Sequence, residues 1–583
     1  MVSKLLFRLL PVQVLLAAVG SVNGIVSSFF ATNYVGIEAM SAVGLFAPIG
    51  MLISTISTIL VGGSTIMCGK YIGRNEKDEV QNVFSLNLIL AFLVSVGFIV
   101  LFLILGMFDL TGFLTSDPEV RPIFNRYLMG QAIGVIPSMA GGAFGAFLSL
   151  ENMKRRNLIA SISYIVANIL FNFLFVKTLH MEALGLALAS ALGMWVFFGV
   201  QAEAFITGKT HFSIKPNKLR WEDCGEMFRI GFPGAASYLY QTGRGILVNK
   251  LLEIFVGSVG ISAFAAANNL LTLVWALPGG MLAVSRLVIS VSVGEEDRQT
   301  LADVMRMMFK RFLPLQGLVS LAIIVCAVPL TYIFYKDPAE SVFTMTTWGF
   351  RILPLCMPLS IICMHFTCYG QASGKHGLVH ILAALDGIIC VVGFTALLIS
   401  FIGMNSVYIA NVLNGVVTTL VIFGYARLKN KRWPRNMEDL LVIPEDFGVS
   451  EDERMDLSVQ SMEDVVTVAN RIQAFCLDRG VSARNAYLAA LCMEEMAGNV
   501  VDHGFAADNK KHTVDLRVVH KGSDMILRIK DDCEPFDPGE RQAMAESDDP
   551  MKNIGIKMVF KMATDVQYQY ILGLNVLTIR IAE

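Results

Sequence analysis

Residues 34–45 read YVGIEAMSAVGL, and the related stretch VGSVGISAFAAANNL fills residues 256–270. Both belong to a longer internal repeat, in which landmarks of the first half of the chain recur in the second. Five pairs of residues share an offset of 221: Gly36 and Gly257, Ala42 and Ala263, Gly73 and Gly294, Pro137 and Pro358, and Lys154 and Lys375. A duplicated unit of this length in an apolar chain predicts two similar bundles of membrane helices.

The composition also indicates a membrane protein. Of 583 residues, 54% are hydrophobic and only 16% are charged, whereas about a quarter of the residues are charged in a soluble domain. Apolar runs of about 20 residues, long enough to cross a bilayer, divide equally between the two repeats, so both repeats insert in the same direction. We predict twelve spans, at 9–32, 40–66, 82–106, 122–150, 157–177, 183–206, 231–256, 261–290, 312–335, 345–370, 378–402 and 407–426.

The charge balance changes where the apolar runs end. Residues 1–435 hold 31 Lys and Arg against 21 Asp and Glu, and residues 436–583 hold 15 against 27. The chain therefore has a basic membrane half and an acidic tail. We predict five parts: a first six-helix repeat (1–208), a cytoplasmic connector (209–230), a second repeat (231–430), a linker (431–454) and a tail domain (455–583).

The loops indicate the orientation in the membrane. If the N-terminus is cytoplasmic, the loops and tails on that side carry 23 Lys and Arg and the opposite loops carry four. Cytoplasmic loops are enriched in these residues. We therefore expect a multi-pass protein of the plasma membrane with both termini in the cytoplasm.

The membrane half resembles the multidrug and toxic compound extrusion (MATE) family. The resemblance rests on YVGIEAMSAVGL followed by GGSTIMCGKYIGRNEKDEV, and on IGFPGAASYLYQ followed by VGSVGISAFAAANNL, over about residues 5–430. It implies export of a small, often cationic or amphipathic molecule in exchange for Na⁺ or H⁺. Where members of the family often carry embedded carboxylates that bind the coupling ion, this chain has Ser28, Asn172 and Gln241.

Charged residues within the predicted spans are functional candidates, because burying a charge in a membrane is expensive. Arg244, Arg286 and Asp386 lie deepest, and we predict that they line the transport cavity together with Asn172 and Gln241. A purely structural role, such as a buried ion pair, is the alternative for these charges.

The tail has the pattern of a small soluble α/β domain. Helical stretches are predicted at 461–479, 482–504 and 554–563, and strands at TVDLRVVH, MILRIKDD, DVQYQYI and NVLTIRIA. The order of these elements predicts a layered α/β sandwich. The expected fold class is thus a twelve-helix membrane protein with two parallel repeats and a C-terminal α/β domain.

Three motifs of the tail resemble the GHKL superfamily (gyrase, histidine kinases, MutL), and most closely the ATP-binding domain of anti-sigma-factor serine kinases. They are Glu495-x3-Asn499 on a helix, IKDDCEPFDP at a strand end, and KNIGIKMV before the last helix. The resemblance implies that Glu495 is the general base, that Asn499 binds Mg²⁺ and that Asp531 binds the adenine amino group. It also places Pro535, Phe536, Asn553 and Gly555 at the nucleotide. Cys533 and Asn553 depart from the glycines usual there, and Cys tolerates a left-handed backbone poorly.

Two functions from different classes fit these observations. The first is a secondary transporter whose cytoplasmic domain binds ATP and Mg²⁺ and acts as a regulator, a protein serine kinase or an ATPase. The second is a membrane receptor whose transporter-like half senses a ligand and controls that domain, and the absent carboxylates favour it. A third hypothesis is a flippase of lipid-linked precursors. We expect a small-molecule substrate, membrane lipid and a cytoplasmic regulatory protein as partners, and no nucleic acid.

Overall fold

The structure is a computed structural model. It describes the chain except residues 1, 31–33, 36, 75, 114–119, 211, 213–218, 446, 450, 506–511, 540–553 and 583. Within helices, it describes side chains except at 2–4, 20, 22–25, 27–29, 37–41, 43–44, 47–48, 234, 237–238, 258, 262 and 269.

The chain forms two compact units. One consists of Leu6–Ser149 and Met153–Val442, and the other of Ile443–Glu583 with two short pieces from elsewhere in the chain. Of the stretch predicted to be a linker, the part up to Val442 therefore belongs to the membrane unit and contains a short helix, Met437–Leu441.

Among the described residues of the first repeat, six long helical segments correspond to the six predicted spans. They are α1 (Val2–Phe30), α2 (Ile37–Gly73), α3 (Lys77–Met107), α4 (Val120–Ala132 with Val135–Leu150), α5 (Lys154–Asn172, continued by the π-helix Phe173–Thr178) and α6 (Glu182–Ile206).

The second repeat has the same number and order of segments. They are α7 (Asp223–Phe255), α8 (Ser258–Val274 with Ala276–Gly294), α9 (Arg298–Met307, Met308–Phe312, Leu313–Val325 and Ala327–Thr331), α10 (Ser341–Ile352, Leu353–Leu355 and Cys356–Ala372), α11 (His376–Ala384, Leu385–Ile389 and Cys390–Ile402) and α12 (Asn405–Asn430). The short helix Met437–Leu441 follows as α13.

Most of these segments are long and apolar enough to cross a bilayer. Among the described residues, nine qualify as single helices, and a tenth span is formed by the two parts of α4, which meet at an angle of 43°. The predicted fold class of the membrane half is confirmed.

The repeat landmark formed by Gly73 and Gly294 marks the place where α2 crosses α8. A Cβ atom on Gly73 would lie 2.4 Å from the carbonyl oxygen of Val291, and one on Gly294 would lie 2.1 Å from that of Lys70. Neither backbone could approach the other so closely with a side chain at these positions. The two glycines thus form a symmetric contact between the repeats.

In the part of the tail unit that the structure describes, a five-stranded antiparallel sheet has three complete helices packed on it. The strands are β1 (Arg454–Val459), β2 (Val514–Lys521), β3 (Asp524–Asp531), β4 (Asp565–Ile571) and β5 (Leu574–Ile581), in the sheet order β1-β2-β3-β5-β4. The helices are α14 (Met462–Asp478), α15 (Ala483–Asn499, continued by the π-helix Val500–Gly504) and α16 (Ile554–Met562). The predicted α/β sandwich is confirmed, with β1 as an additional edge strand.

Alternation of side chains along β2 and β3 builds the core of the tail unit. Val514, Leu516 and Val518 face the same side as Leu527 and Ile529, and all are at most 2% exposed. Residues two apart on a strand share a face, so this side packs against the apolar faces of α14 and α15. Ser461 and Ser482 cap the N-termini of those two helices with their hydroxyl groups.

Candidate functional sites

A cavity of about 540 Å³ lies among the helices of the membrane unit. Helices α1, α2, α4, α5 and α6 of the first repeat form most of its wall, and α8 of the second repeat contributes the rest. Its volume falls in the range of about 300–1,000 Å³ that is typical of small-molecule sites. Side chains that line it include the aromatic residues Phe46, Tyr164 and Phe197.

Arg286 is the predicted cavity residue that lines this space. It corresponds to Thr65 of the first repeat at the offset of 221 residues, and both side chains line the cavity. The Nε atom of Arg286 is buried and, among the described residues, has no hydrogen-bond partner.

Tyr164 is another polar residue of the cavity wall, and sequence analysis did not identify it. Its side chain is fully buried and its hydroxyl group has no hydrogen-bond partner among the described residues. The ring of Phe197 packs edge-on against it, with 6.2 Å between ring centroids. The phenol is therefore held in place by packing while its hydroxyl group remains unpaired.

Arg244 and Asp386 come together elsewhere, within the second repeat. Nη1 of Arg244 donates to the backbone oxygen of Asp386 at 3.3 Å, and Nδ2 of Asn414 donates to Oδ1 of Asp386 at 2.8 Å. Asp386 lies on the π-helical turn Leu385–Ile389 of α11, a kind of irregularity often found at functional sites. These two charges are thus not among the residues that line the cavity.

The remaining predicted cavity residues lie apart from both clusters. Gln241 is exposed on α7. Asn172 is fully buried at the end of the α-helical part of α5, where its Nδ2 donates to the carbonyl oxygen of Asn168 at 2.9 Å. The side chain of Ser28 lies outside the described residues.

In the tail unit, Asp531 occupies a position where the strand pattern calls for an apolar side chain. It ends β3 in the buried register of Leu527 and Ile529, and is only 4% exposed. Its Oδ1 accepts from Nδ2 of Asn575 at 2.7 Å and from the backbone N–H of Cys533 at 3.0 Å. Burial raises the pKa of the Asp531 carboxyl, and the two hydrogen bonds oppose that shift. A carboxylate held in the core in this way indicates a binding function.

Asn575 and Tyr568 support Asp531, and sequence reasoning missed both. Asn575 lies opposite Asp531 in the β3–β5 pairing. Its Oδ1 accepts from the hydroxyl group of Tyr568 at 2.7 Å, and that hydroxyl accepts from the backbone N–H of Phe536 at 3.1 Å. The chain of bonds fixes the start of the DDCEPF segment relative to β5. Asn575 could be identified from the sequence only by knowing the register between β3 and β5, which are far apart in the chain.

The first and third motifs of the tail meet at Gly555. A Cβ atom on Gly555 would lie 2.1 Å from Oε2 of Glu495, so the carboxylate lies directly against the first turn of α16. Asn499 is half-buried one turn further along α15. The helix then changes to a π-turn over Val500–Gly504, so the four-residue spacing that sets Glu495 and Asn499 on one face does not continue to His503. Asn553 lies outside the described residues.

The second motif also contacts the end of α15. A Cβ atom on Gly504 would lie 3.0 Å from the Sγ atom of Cys533. Cys533 does not have a positive φ. The left-handed backbone expected from the glycine usual at this position, which would strain a cysteine, therefore does not occur. Pro535 and Phe536 follow as exposed residues, Phe536 with 40% of its surface accessible.

These residues fit a nucleotide and its Mg²⁺. Gly555 lies in the first turn of α16, and helix N-termini favour phosphate. Asn499 offers a hard oxygen ligand, which suits Mg²⁺. Asp531 presents a buried carboxylate, and Phe536, five residues later in the chain, presents an exposed ring.

The two halves of the chain match two different protein families. Residues 15–174 match the MatE family and residues 459–581 match the histidine kinase-like ATPase domain. The chain is 21% identical over 289 residues to the probable multidrug resistance protein NorM of Halalkalibacterium halodurans. That alignment spans 47% of this chain and 61% of the length of NorM.

Solved structures of MATE proteins share the fold of the membrane half. A MATE protein in complex with MaL6 has a TM-score of 0.69 at 21% identity, and covers 76% of this chain and 98% of its own. A MOP superfamily transporter from Pyrococcus furiosus, described as having a binding pocket of reverse polarity, has a TM-score of 0.67 at 21% identity, and covers 73% of this chain and 97% of its own. Both resemblances predicted from the sequence, one for each half, are confirmed.

Proposed function

We propose that this multi-pass membrane protein, in which a MatE domain is fused to a histidine kinase-like ATPase domain, is a secondary transporter that exports a small organic solute in exchange for Na⁺ or H⁺. The observation that carries the proposal is the cavity of about 540 Å³ within the membrane helices. Its wall comes from both repeats, because α8 closes a space that otherwise belongs to the first repeat. Movement of one repeat against the other would change that wall, as alternating access requires.

Asp386 is our candidate for the residue that binds the coupling ion. An embedded carboxylate can exchange a proton or Na⁺, and such residues are functional by default. Asn414 donates to one carboxylate oxygen of Asp386, and Arg244 bonds the backbone of the same residue rather than its side chain. The π-turn that carries Asp386 gives the helix a local irregularity at which a small rearrangement is inexpensive.

The tail domain implies ATP binding, and we propose that nucleotide there regulates the membrane half or a cytoplasmic protein. ATP with Mg²⁺, when bound, supplies the transferable phosphoryl group. Asp531 accepts a hydrogen bond from the exocyclic amine of adenine, and Asn499 offers its side-chain oxygen to the metal. In this proposal Glu495, whose carboxylate lies against Gly555, orients and deprotonates a hydroxyl group or water. Whether this residue serves a kinase or an ATPase depends on which nucleophile reaches it.

One observation favours the receptor as a second candidate. The described residues that line the cavity include no Asp or Glu, so the cavity itself offers no carboxylate for a coupling ion. In a receptor the cavity would bind a ligand, and that binding would change the activity of the tail domain.

Uptake into proteoliposomes separates the two functions. The purified full chain is reconstituted, Na⁺ and H⁺ gradients are imposed in turn, and uptake of a solute panel is measured with and without ATP on the side of the tail domain. Gradient-driven accumulation that requires Asp386 supports the transporter. Ligand-dependent nucleotide turnover without accumulation under either gradient supports the receptor.

We further propose that both termini and the loop after α12 are cytoplasmic, from the distribution of Lys and Arg. A reporter fused after Lys429 should report the cytoplasm, and one fused near Ser116 should report the outside. The opposite pattern would contradict both the orientation and access of the tail to cytoplasmic ATP.

A further inference from the structure

The charge of the cavity wall differs from what a cation exporter needs. Among the described residues that line the cavity, Arg286 is the one with a formal charge. Its Nε atom is buried without a hydrogen-bond partner among the described residues. Arg286 as a whole is half-buried, and a buried donor of a charged group that lacks a partner costs free energy. A ligand that brings a negative charge into the cavity would remove that cost, whereas a cationic ligand would add repulsion.

The second unpaired group points to the same chemistry. Tyr164 is fully buried, and its hydroxyl group lacks a partner among the described residues. Two amide groups of the wall are already used as donors, since Nε2 of Gln13 donates to Ser149 Oγ at 2.6 Å and Nε2 of Gln131 donates to Tyr127 Oη at 2.9 Å. Of the buried side-chain N and O atoms that line the cavity, Nε of Arg286 and the hydroxyl oxygen of Tyr164 have no partner among the described residues. A carboxylate or phosphate, which only accepts hydrogen bonds, matches both.

The rest of the wall describes the body of the ligand. Phe46, Phe197 and Leu16 provide apolar and aromatic surface, and Gly142 leaves space in the wall, since a Cβ atom there would have only ordinary contacts. Such a wall suits an apolar, ring-sized body and would not suit a ligand that is charged throughout.

We propose that the cavity binds an organic anion: an apolar body with a carboxylate or phosphate group that pairs with Arg286 and accepts a hydrogen bond from Tyr164. This inference names the substrate class of the proposed transporter and rests on that function only for the direction of movement. The anionic group can belong to a soluble solute or to a lipid headgroup, since both present the same oxygen atoms to the guanidinium.

Equilibrium binding to the full chain in neutral detergent tests the inference without any gradient. Three probes are compared: 1-naphthoate, 1-naphthylmethylammonium, which has the same ring system with a positive charge, and dihexanoyl phosphatidate as a short lipid anion. We expect at least one anion to bind about tenfold or more tightly than the ammonium probe, since hydrogen bonds to charged groups have effects of that order. Preference for naphthoate identifies a soluble solute, and preference for phosphatidate identifies a lipid.

Variants connect that preference to the two residues. Arg286→Gln should abolish the anion preference, Arg286→Lys should retain part of it, and Tyr164→Phe should weaken anion binding by about threefold to tenfold. Arg351→Gln is the matched control, because Arg351 is an exposed arginine over the ring of Trp348, with 5.2 Å to the ring centroid, and does not line the cavity. Thermal melting of each variant verifies folding, and the Lys variant carries the test if the Gln variant does not fold.

Several outcomes would overturn the inference. They are equal or tighter binding of the ammonium probe, no saturable binding of either anion, and an anion preference that survives Arg286→Gln. If the protein transports a cation and binds no anion, this inference is rejected but the proposed transport function still stands. If the protein binds an anion but transports nothing under either gradient, the transport function is rejected and this inference still stands.

Discussion

The two candidate sites of this chain bury charge in opposite ways. In the membrane cavity, Arg286 has a buried nitrogen atom with no partner among the described residues. In the tail domain, Asp531 is more deeply buried than Arg286, and Asn575 and the backbone of Cys533 both donate to it. In our proposal a ligand supplies the partner of the first charge, whereas the fold already supplies the partners of the second. The cavity should therefore depend on the charge of its ligand, and the nucleotide site on the exact placement of its own residues.

The largest effect is expected at Glu495. Glu495→Ala should leave nucleotide binding nearly intact and reduce phosphoryl transfer by about a hundredfold or more, because a general base acts on the nucleophile and not on the bound nucleotide. Fluorescent ATP binding and phosphate release by the full chain measure the two quantities. A loss of binding equal to the loss of turnover would show that Glu495 has a structural role.

Gly555→Ala tests the contact between Glu495 and α16 directly. The new methyl group would lie 2.1 Å from Oε2 of Glu495, so either the carboxylate or the helix must move. We expect nucleotide binding to weaken by about tenfold. Glu495→Ala combined with Gly555→Ala should recover binding and remain inactive, since the clash is gone but the base is too. Equal binding of the single and double variants would contradict this contact.

Asp531→Asn should weaken ATP binding by about tenfold to a hundredfold, as a charge-assisted hydrogen bond to the adenine amine becomes a neutral one. Discrimination between ATP and GTP should fall with it. Asp532→Asn is the matched control, because the neighbouring carboxylate bonds Nδ1 of His512 at 3.1 Å instead. Identical losses in the two variants would argue against a specific role for Asp531.

A bulky side chain at Gly142 should affect the cavity without regard to charge. A Cβ atom there would have only ordinary contacts, 3.8 Å to Val61 and 3.9 Å to Ser57, so Gly142→Ala is tolerated. Gly142→Leu would fill part of the cavity, and we expect about a tenfold loss for anionic and cationic probes alike. If Gly142→Leu weakens the binding of anionic probes only, the new side chain disturbs Arg286 and does not act by reducing the cavity volume.

Sequence analysis could predict those parts of the fold and of the candidate sites that are marked by a local pattern of residues. Membrane spans are continuous apolar runs, and Asp531 interrupts an alternating strand, so both are visible in the sequence. Strand β1 was missed because Asp456 and Ser458 give it a polar face, and only pairing with β2 defines it. The cavity had no local signal, since its wall combines small and apolar residues from distant helices. Arg244 and Asp386 are embedded like Arg286, and only the packing of helices separates them from the cavity.

Tyr568→Phe should have a moderate effect that tests how the nucleotide site is held. It removes the hydroxyl group that connects Asn575 to the backbone of Phe536. The carboxylate remains, but its supporting amide and the DDCEPF segment lose one hydrogen bond each. We expect ATP binding to weaken by about threefold to tenfold, with stability lowered by about 1 kcal/mol. An unchanged affinity would show that Asp531 needs no such support.

The smallest effect is a dependence on pH. Burial raises the pKa of Asp531, so this carboxyl binds a proton in the folded domain at a higher pH than in the unfolded chain. Its contribution to stability is therefore fully present below the ordinary aspartate pKa and is lost as the pH rises through the raised value. Nucleotide affinity changes in the opposite direction, because only the ionised carboxylate accepts from the adenine amine without first losing a proton. We expect ATP binding to weaken by about twofold to threefold as the pH falls toward the raised pKa, at a pH where exposed aspartates are still ionised. Asp531→Asn should remove this dependence from both melting temperature and affinity. If Asp531→Asn keeps the full pH profile, another group is responsible for it. Asp531 would then have the same protonation state over the whole pH range measured.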